Sequence, residues 1–205
     1  VKSLDLLPII SGREIRAEKV EWLLPDRVAK GKLTVLTGFA GVGKSFVCMS
    51  IMAALSNGTE LPDFSIAPKM KSIILLGEDG AADTLKPRMM MLGADEDNYF
   101  AISIGVGLGA SLRIDLRDEA FMSSLSKRIQ DEGIGLLVID PILSFTPNLD
   151  PRGEVPVRKV LGNLTVLAES TGCSIIAVSH KNKDRKQSND LHRISGSQAF
   201  GAVAR

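Results

Sequence analysis

The chain has few cysteines, almost no net charge and no long apolar run. Its 205 residues include two cysteines, Cys48 and Cys173, which lack the paired spacing of metal-ligand motifs. We therefore expect reduced, buried thiols in a cytoplasmic protein. A net charge of +1 excludes a global electrostatic footprint for nucleic acid, so any such contact must be local. The sequence shows neither a signal-peptide pattern nor the run of about 18 apolar residues that a membrane-spanning helix needs, so we expect no membrane insertion and no secretion.

One glycine-rich segment is the most informative feature that is present. Residues 38–45 read GFAGVGKS and match the phosphate-binding loop pattern GxxxxGK[ST] at each fixed position. The pattern predicts that backbone N–H groups surround the phosphates of a nucleoside triphosphate, that Lys44 reaches the β and γ phosphates, and that the Ser45 hydroxyl holds Mg²⁺. The residues expected around the phosphates are Gly38, Phe39, Ala40, Gly41, Val42, Gly43, Lys44, Ser45 and Phe46.

Short apolar runs alternate along the chain with stretches of helical spacing. Continuous apolar runs such as IILL and LLVI are typical of strands covered on both faces, so the alternation predicts an α/β fold with a doubly wound, mostly parallel sheet. We expect strands at Leu33 to Thr37, Ser72 to Gly77, Phe100 to Ile104, Leu136 to Asp140 and Ser174 to Ser179. We expect helices at Lys44 to Asn57, Thr84 to Leu92, Asp118 to Glu132 and Val155 to Thr171.

Titratable residues stand at the carboxyl ends of several predicted strands, which is where parallel sheets bind ligands. Asp140 ends the run GLLVID and fits the Walker B pattern, in which a carboxylate holds the Mg²⁺ shell beside Ser45. Glu78 follows another strand and is the candidate general base for attack of water on the γ-phosphate. Asp79 is the alternative base, although side-chain alternation favours only one of the two facing the phosphates.

His180 ends the run SIIAVSH and can donate a ring N–H to a γ-phosphate oxygen, which makes it a candidate sensor of hydrolysis. The alternative is a solvated loop histidine. A polar, basic segment follows it and could contact nucleic-acid phosphates with an affinity that falls with salt, or could simply be a solvated loop. It lacks aromatic residues, which argues against strong base stacking. The candidate nucleic-acid contacts are Lys183, Arg185, Lys186 and Arg193 in this segment and Arg152 in the loop after the Walker B strand.

Taken together, these segments resemble the RecA-like ATPases. The resemblance rests on GFAGVGKS, GED at 77–79, LLVIDP at 136–141, TGCSIIAVSHKNK at 171–183 and GSQAFGAVAR at 196–205. Within that group the chain is most similar to the hexameric plasmid replicative helicase RepA and its phage and mobile-element relatives, from Trp22 onward. The resemblance implies an N-terminal lead-in over residues 1–30 packed on a RecA-like ATPase domain over residues 31–205. It also implies further strands after Arg205, so we expect a truncated C-terminal end.

For function, the resemblance implies ATP and Mg²⁺ as cofactors, Lys44, Glu78, Asp140 and His180 as catalytic residues, and Arg205 as an arginine finger offered to a neighbouring subunit. The expected assembly is a homo-oligomeric ring, a hexamer, with ATP sites between subunits and single-stranded DNA as partner. The expected activity is ATP hydrolysis coupled to DNA translocation. The alternatives are a RecA-like regulatory or recombination ATPase that acts as a nucleotide switch, and a small-molecule phosphotransferase. The residues after Asp140 and the NKDR segment at 182–185 do not match GTPase patterns.

Overall fold

The fold is a five-stranded parallel sheet covered by helices on both faces, with a small hairpin at the side. The structure is a computed structural model that describes residues 9–103, 114–148 and 154–180, with side chains described from 157 in the last range. The strands are β1 (Trp22–Leu24), β2 (Val28–Ala29), β3 (Leu33–Gly38), β4 (Lys71–Leu76), β5 (Tyr99–Ser103), β6 (Ile134–Asp140) and β7 (Ser174–His180). The α-helices are α1 (Lys44–Asn57), α2 (Lys86–Met91), α3 (Glu119–Glu132) and α4 (Glu154–Thr171).

The order of strands in the sheet is β3-β7-β6-β4-β5, and each neighbouring pair is parallel. Strand β7 therefore lies between the strand that leads into the phosphate loop and the Walker B strand. The registers pair Gly38 with His180 and Leu76 with Asp140. Because the strands are parallel, these pairings bring the carboxyl ends of β3, β7, β6 and β4 to one edge of the sheet.

Each face of the sheet has its own apolar core. Buried side chains of α1, α2 and the β1–β2 hairpin pack on one face, and those of α3 and α4 pack on the other. Successive strand residues alternate between the two cores: Val138 faces α1, whereas Ile139 faces α4. Parallel strands covered on both faces read as continuous apolar runs, which confirms the predicted fold class.

The predicted strands and helices are present, and the bounds of one helix differ substantially. The helix expected at Thr84 to Leu92 instead starts with a π-helical turn at Ala81–Leu85 and becomes α-helical at Lys86. Pro87 has no N–H to donate to a carbonyl four residues earlier, so the α-helical hydrogen-bond pattern cannot extend back through this point. Short 3₁₀-helices at Glu96–Asn98 and Ile142–Phe145 were not anticipated by the pattern of apolar residues. Ile104, the predicted end of the third strand, lies outside the described residues.

The N-terminal segment contacts the core through the β1–β2 hairpin. Leu23, Leu24 and Val28 are buried in the α1-side core, whereas the side chains of residues 9–22 are exposed. The predicted burial of both thiols is confirmed, since Cys48 and Cys173 are free and buried. In the described part of the chain, no helix is both long enough and apolar enough to cross a bilayer.

Candidate active site

The phosphate loop joins β3 to α1 and relies on glycine for its shape. Gly41 has a φ of 78° and Gly43 a φ of 88°, a left-handed conformation that costs other residues free energy because of their Cβ atoms. Gly43 caps α1, and because glycine has no side chain, the cap residue accepts no hydrogen bond from the first N–H groups of that helix. The first turn of α1 also contains no acidic residue. The loop therefore presents N–H donors and the positive end of the helix dipole to an anion.

Lys44 folds back over this loop. Its Nζ donates hydrogen bonds to the carbonyl oxygens of Gly38 at 3.1 Å and Phe39 at 2.7 Å. The residue is 8% exposed although it carries a charge, so its ammonium group is placed by the loop itself and does not extend freely into solvent. Phe39, Val42 and Phe46 are exposed around the loop, which puts apolar surface next to the charged groups.

Ser45 and Asp140 meet at the base of the loop. The Ser45 hydroxyl lies close enough to the Asp140 carboxylate, at the end of β6, to lower the pKa of that carboxyl group by hydrogen bonding. Asp140 is buried, and this burial raises the pKa of its carboxyl group above the usual value. The Ser45 hydrogen bond and the charges of His180 and Lys44 lower that pKa, whereas the charge of Asp79 raises it further. The structure thus brings Ser45 and Asp140 close together, and their role as oxygen ligands of Mg²⁺ stays a prediction.

Glu78 and His180 also lie at this edge. The Nε2 atom of His180 is 3.9 Å from Oε2 of Glu78. Leu76, the last residue of β4, packs in the α1-side core, and Glu78 follows it after Gly77. The backbone N–H of Gly77 donates to the carbonyl oxygen of Asp140 at 2.9 Å, which ties the Glu78 segment to the Walker B strand.

Asp79 has a different partner. Its Oδ2 accepts a hydrogen bond from Nη1 of Arg88 in α2 at 3.1 Å. It lies close enough to Asp140 to raise the pKa of that carboxyl group, so both carboxylates are near the same site. However, Arg88 occupies the Asp79 carboxylate, whereas the described contact of Glu78 is with His180, the candidate sensor. This arrangement supports Glu78 over Asp79 as the base.

His180 belongs to a strand and not to a solvated loop. It is the last residue of β7, in register with Gly38, and its side chain is 36% exposed. Its Nδ1 atom is buried and has no hydrogen-bond partner among the described residues. A buried ring nitrogen without a partner is costly to maintain, which is common where a side chain serves a function.

Sequence reasoning missed two features of the site. Arg88 could not be assigned to Asp79, because the pairing depends on how the chain between β4 and α2 folds. Cys48 lies on the buried side of α1 beside Lys44 and Asp140, and burial raises the pKa of its thiol to about 12. Several predicted residues lie outside the described part of the chain and remain predictions: Arg152, Lys183, Arg185, Lys186, Arg193 and Arg205.

A family model described as an AAA domain matches residues 3–186. The match includes the phosphate loop, Glu78, Asp140 and His180, that is, each residue that the structure brings together at the carboxyl edge of the sheet. The match covers most of the chain, and the loop has the backbone conformation of a phosphate-binding loop. The chain therefore belongs to the AAA domain family of P-loop ATPases.

Proposed function

We propose that the protein is a Mg²⁺-dependent ATPase that couples hydrolysis to binding and movement on single-stranded DNA, as a ring-forming replicative-type helicase does. The observation that carries the coupling is the position of His180. Its ring faces the candidate base Glu78 at 3.9 Å, and the next residues of the chain lead directly into the basic segment that contains Lys183, Arg185 and Lys186. A movement of His180 on loss of the γ-phosphate would then be passed along only a few residues of the chain to the proposed DNA contacts.

The residues present fit a magnesium ion. Mg²⁺ prefers oxygen ligands and usually takes one or two side chains plus substrate phosphates. Ser45 and Asp140 supply a hydroxyl and a carboxylate close to each other, and the described residues contain no cluster of three or more His, Cys, Asp or Glu that would form an all-protein site. When bound, the ion neutralises phosphate charge. Lys44 places a second positive charge on the phosphates, and Glu78 orients and deprotonates the attacking water.

The test is ATP turnover with and without a single-stranded oligonucleotide. We expect the strand to stimulate turnover. Replacing Lys183, Arg185 and Lys186 by Gln should weaken DNA binding and lower the slope of log affinity against log salt by about 2, at roughly 0.7 per lost phosphate contact. A matched control replaces Lys30, Lys32 and Lys127, whose described partners are Glu21, Glu169 and Asp131. This control removes the same charge and should leave the slope unchanged.

Adding an unwinding assay and a trial of small-molecule acceptors to this test separates the alternatives. A nucleotide switch would bind DNA in an ATP-dependent way without unwinding a forked duplex. A small-molecule phosphotransferase would be stimulated by an acceptor and not by the strand. Turnover that is indifferent to the oligonucleotide, together with equal salt slopes for both triple variants, would contradict the proposed coupling.

The ring is tested through Arg205. An arginine finger acting in trans contributes on the order of 10³ to 10⁵ to turnover, because its planar charge stabilises the transition state. We expect turnover per subunit to rise with protein concentration, and Arg205→Ala to abolish this rise while ATP binding persists. Mixing Arg205→Ala with Glu78→Gln protein should recover activity, since an intact Glu78 can then face an intact Arg205. Co-assembly without recovery would place Arg205 outside the active site.

A further inference from the structure

Gly77 connects β4 to Glu78, and its backbone conformation does not require glycine. Its φ lies outside the left-handed region, so an alanine could adopt the same backbone. What distinguishes the position is space. A Cβ atom at residue 77 would lie 2.3 Å from the Ser144 Cβ, 2.7 Å from the Ser144 Oγ and 3.3 Å from Cε2 of Phe145. Cβ atoms essentially never come within 3.0 Å of another non-bonded heavy atom, and ordinary contact begins at 3.4 Å. To remove the clash, residue 77 or Ser144 would therefore have to move by about 1 Å.

The 3₁₀-helix that carries Ser144 is held in place and cannot supply this shift cheaply. Ile142 and Phe145, the first and last residues of this helix, are 1% and 0% exposed and lie in the α4-side core. The carbonyl oxygen of Phe145 accepts a hydrogen bond from the Leu116 N–H at 2.9 Å, and the Ser144 N–H donates to Pro141 at 3.1 Å. Moving Ser144 away would therefore disturb a packed core and two backbone hydrogen bonds.

The other side of the contact yields more easily. Leu76 is the last residue of β4 to pair with both neighbouring strands, and beyond it the Gly77 N–H donates a backbone hydrogen bond to Asp140. The side chain of Glu78 is 63% exposed, so little packing opposes its displacement. A steric push at residue 77 is thus transmitted to Glu78 and not to the core.

We propose that Gly77 is a positioning residue for hydrolysis: because it has no side chain, the end of β4 can lie close to Ser144 and beside the Walker B strand, which places Glu78 to activate the water that attacks the γ-phosphate. The inference rests on the proposed role of Glu78 as general base. A displacement of about 1 Å at a catalytic group can reduce turnover on the order of 10²-fold.

The experiment is a rescue series with turnover, ATP affinity and melting temperature measured for each variant. Gly77→Ala should lower the rate constant of hydrolysis on the order of 10²-fold and leave ATP affinity within about threefold, since the phosphate loop lies on β3 and α1. Adding Ser144→Gly to Gly77→Ala removes the Ser144 Cβ, the atom at 2.3 Å, and should raise the rate constant of hydrolysis at least tenfold above that of Gly77→Ala. Ser144→Ala keeps that atom and should not restore turnover.

Gly162→Ala is the matched glycine control. It lies in α4, and apart from its chain neighbours and the nearby backbone of that helix no described atom lies within 4 Å of the Cβ that would be added, so turnover should be unchanged. A second control combines Gly77→Ala with Glu78→Gln. If Gly77 acts through Glu78, the double variant should hydrolyse ATP as slowly as Glu78→Gln alone, whereas a general structural defect would multiply the two losses.

Three results would overturn the inference: normal turnover in Gly77→Ala, equal rescue by Ser144→Ala and Ser144→Gly, or multiplied losses in the double variant. If Gly77→Ala fails to melt cooperatively, the Gly77→Ala, Ser144→Gly protein decides: restored melting with restored turnover supports positioning, and any other result contradicts it. Normal turnover in Glu78→Gln alone would instead overturn the proposed function of Glu78, whatever the rescue series shows.

Discussion

Replacing Glu78 by Gln tests the assignment of the general base most directly. The side chain keeps its size and loses its charge, so it can no longer accept a proton from the attacking water. A positioned general base contributes about 10²- to 10⁴-fold, which corresponds to about 2.7 to 5.4 kcal/mol of activation free energy. We therefore expect the rate constant of hydrolysis to fall by at least about 10²-fold.

The structure indicates that this loss will not arise from unfolding. The described charged contact of Glu78 is His180 at 3.9 Å, and the Glu78 side chain is 63% exposed. An exposed pair of this kind contributes about 0 to 1 kcal/mol to stability, which is smaller than the expected catalytic effect. ATP affinity should also persist, because the loop donors and Lys44 are untouched. The assay is single-turnover hydrolysis at saturating ATP, with ATP binding measured separately.

Asp79→Asn is the matched control for Glu78→Gln. Asp79 is the adjacent carboxylate and is engaged by Arg88, so its loss removes an exposed ion pair without removing the base. We expect turnover within a few-fold of the unsubstituted protein. If Asp79→Asn loses hydrolysis while Glu78→Gln retains it, the two roles are reversed, and if both variants hydrolyse normally, neither carboxylate is the base.

The remaining predictions concern the loop, the metal ligand and the buried thiol. Lys44→Ala should lose Mg²⁺-ATP affinity and turnover together, and an unchanged ATP-dependent rise in melting temperature would refute this. Asp140→Asn should abolish turnover but keep or raise the melting temperature at neutral pH, because burial penalises the ionised carboxylate and raises its pKa. The difference in melting temperature between Asp140→Asn and the unsubstituted protein should become smaller as the pH falls through that raised pKa and Asp140 becomes protonated. A difference that grows in acid would contradict the argument. Cys48, with a thiol pKa of about 12, should resist alkylation at pH 8 in the folded protein and react once denaturant is added.

Local features of the sequence were sufficient for the phosphate loop, the strand tips and most helix bounds. The loop needs its glycines for backbone conformation and its Lys44 and Ser45 for charge and hydrogen bonding. Its structure is therefore determined by residues that are consecutive in the sequence. Strands covered on both faces are continuously apolar, so the apolar runs predicted β4, β6 and β7. The same runs placed Asp140 and His180 at the ends of β6 and β7. The β1–β2 hairpin was too short for its pattern to stand out, and Pro87 moved the start of α2 for a local reason that the apolar spacing did not report.

Tertiary structure decided which of these residues contact one another. The ion pair between Arg88 and Asp79, which distinguishes Asp79 from Glu78, joins α2 to the segment after β4 and could be seen only in the fold. The register that sets Gly38 beside His180 results from pairing between strands far apart in the sequence. The contact between Gly77 and Ser144 joins two segments that follow different strands, so a glycine that looks ordinary in the sequence becomes a steric requirement in the fold. Residue types follow from local chemistry, whereas distances between distant segments arise only from packing of the whole sheet.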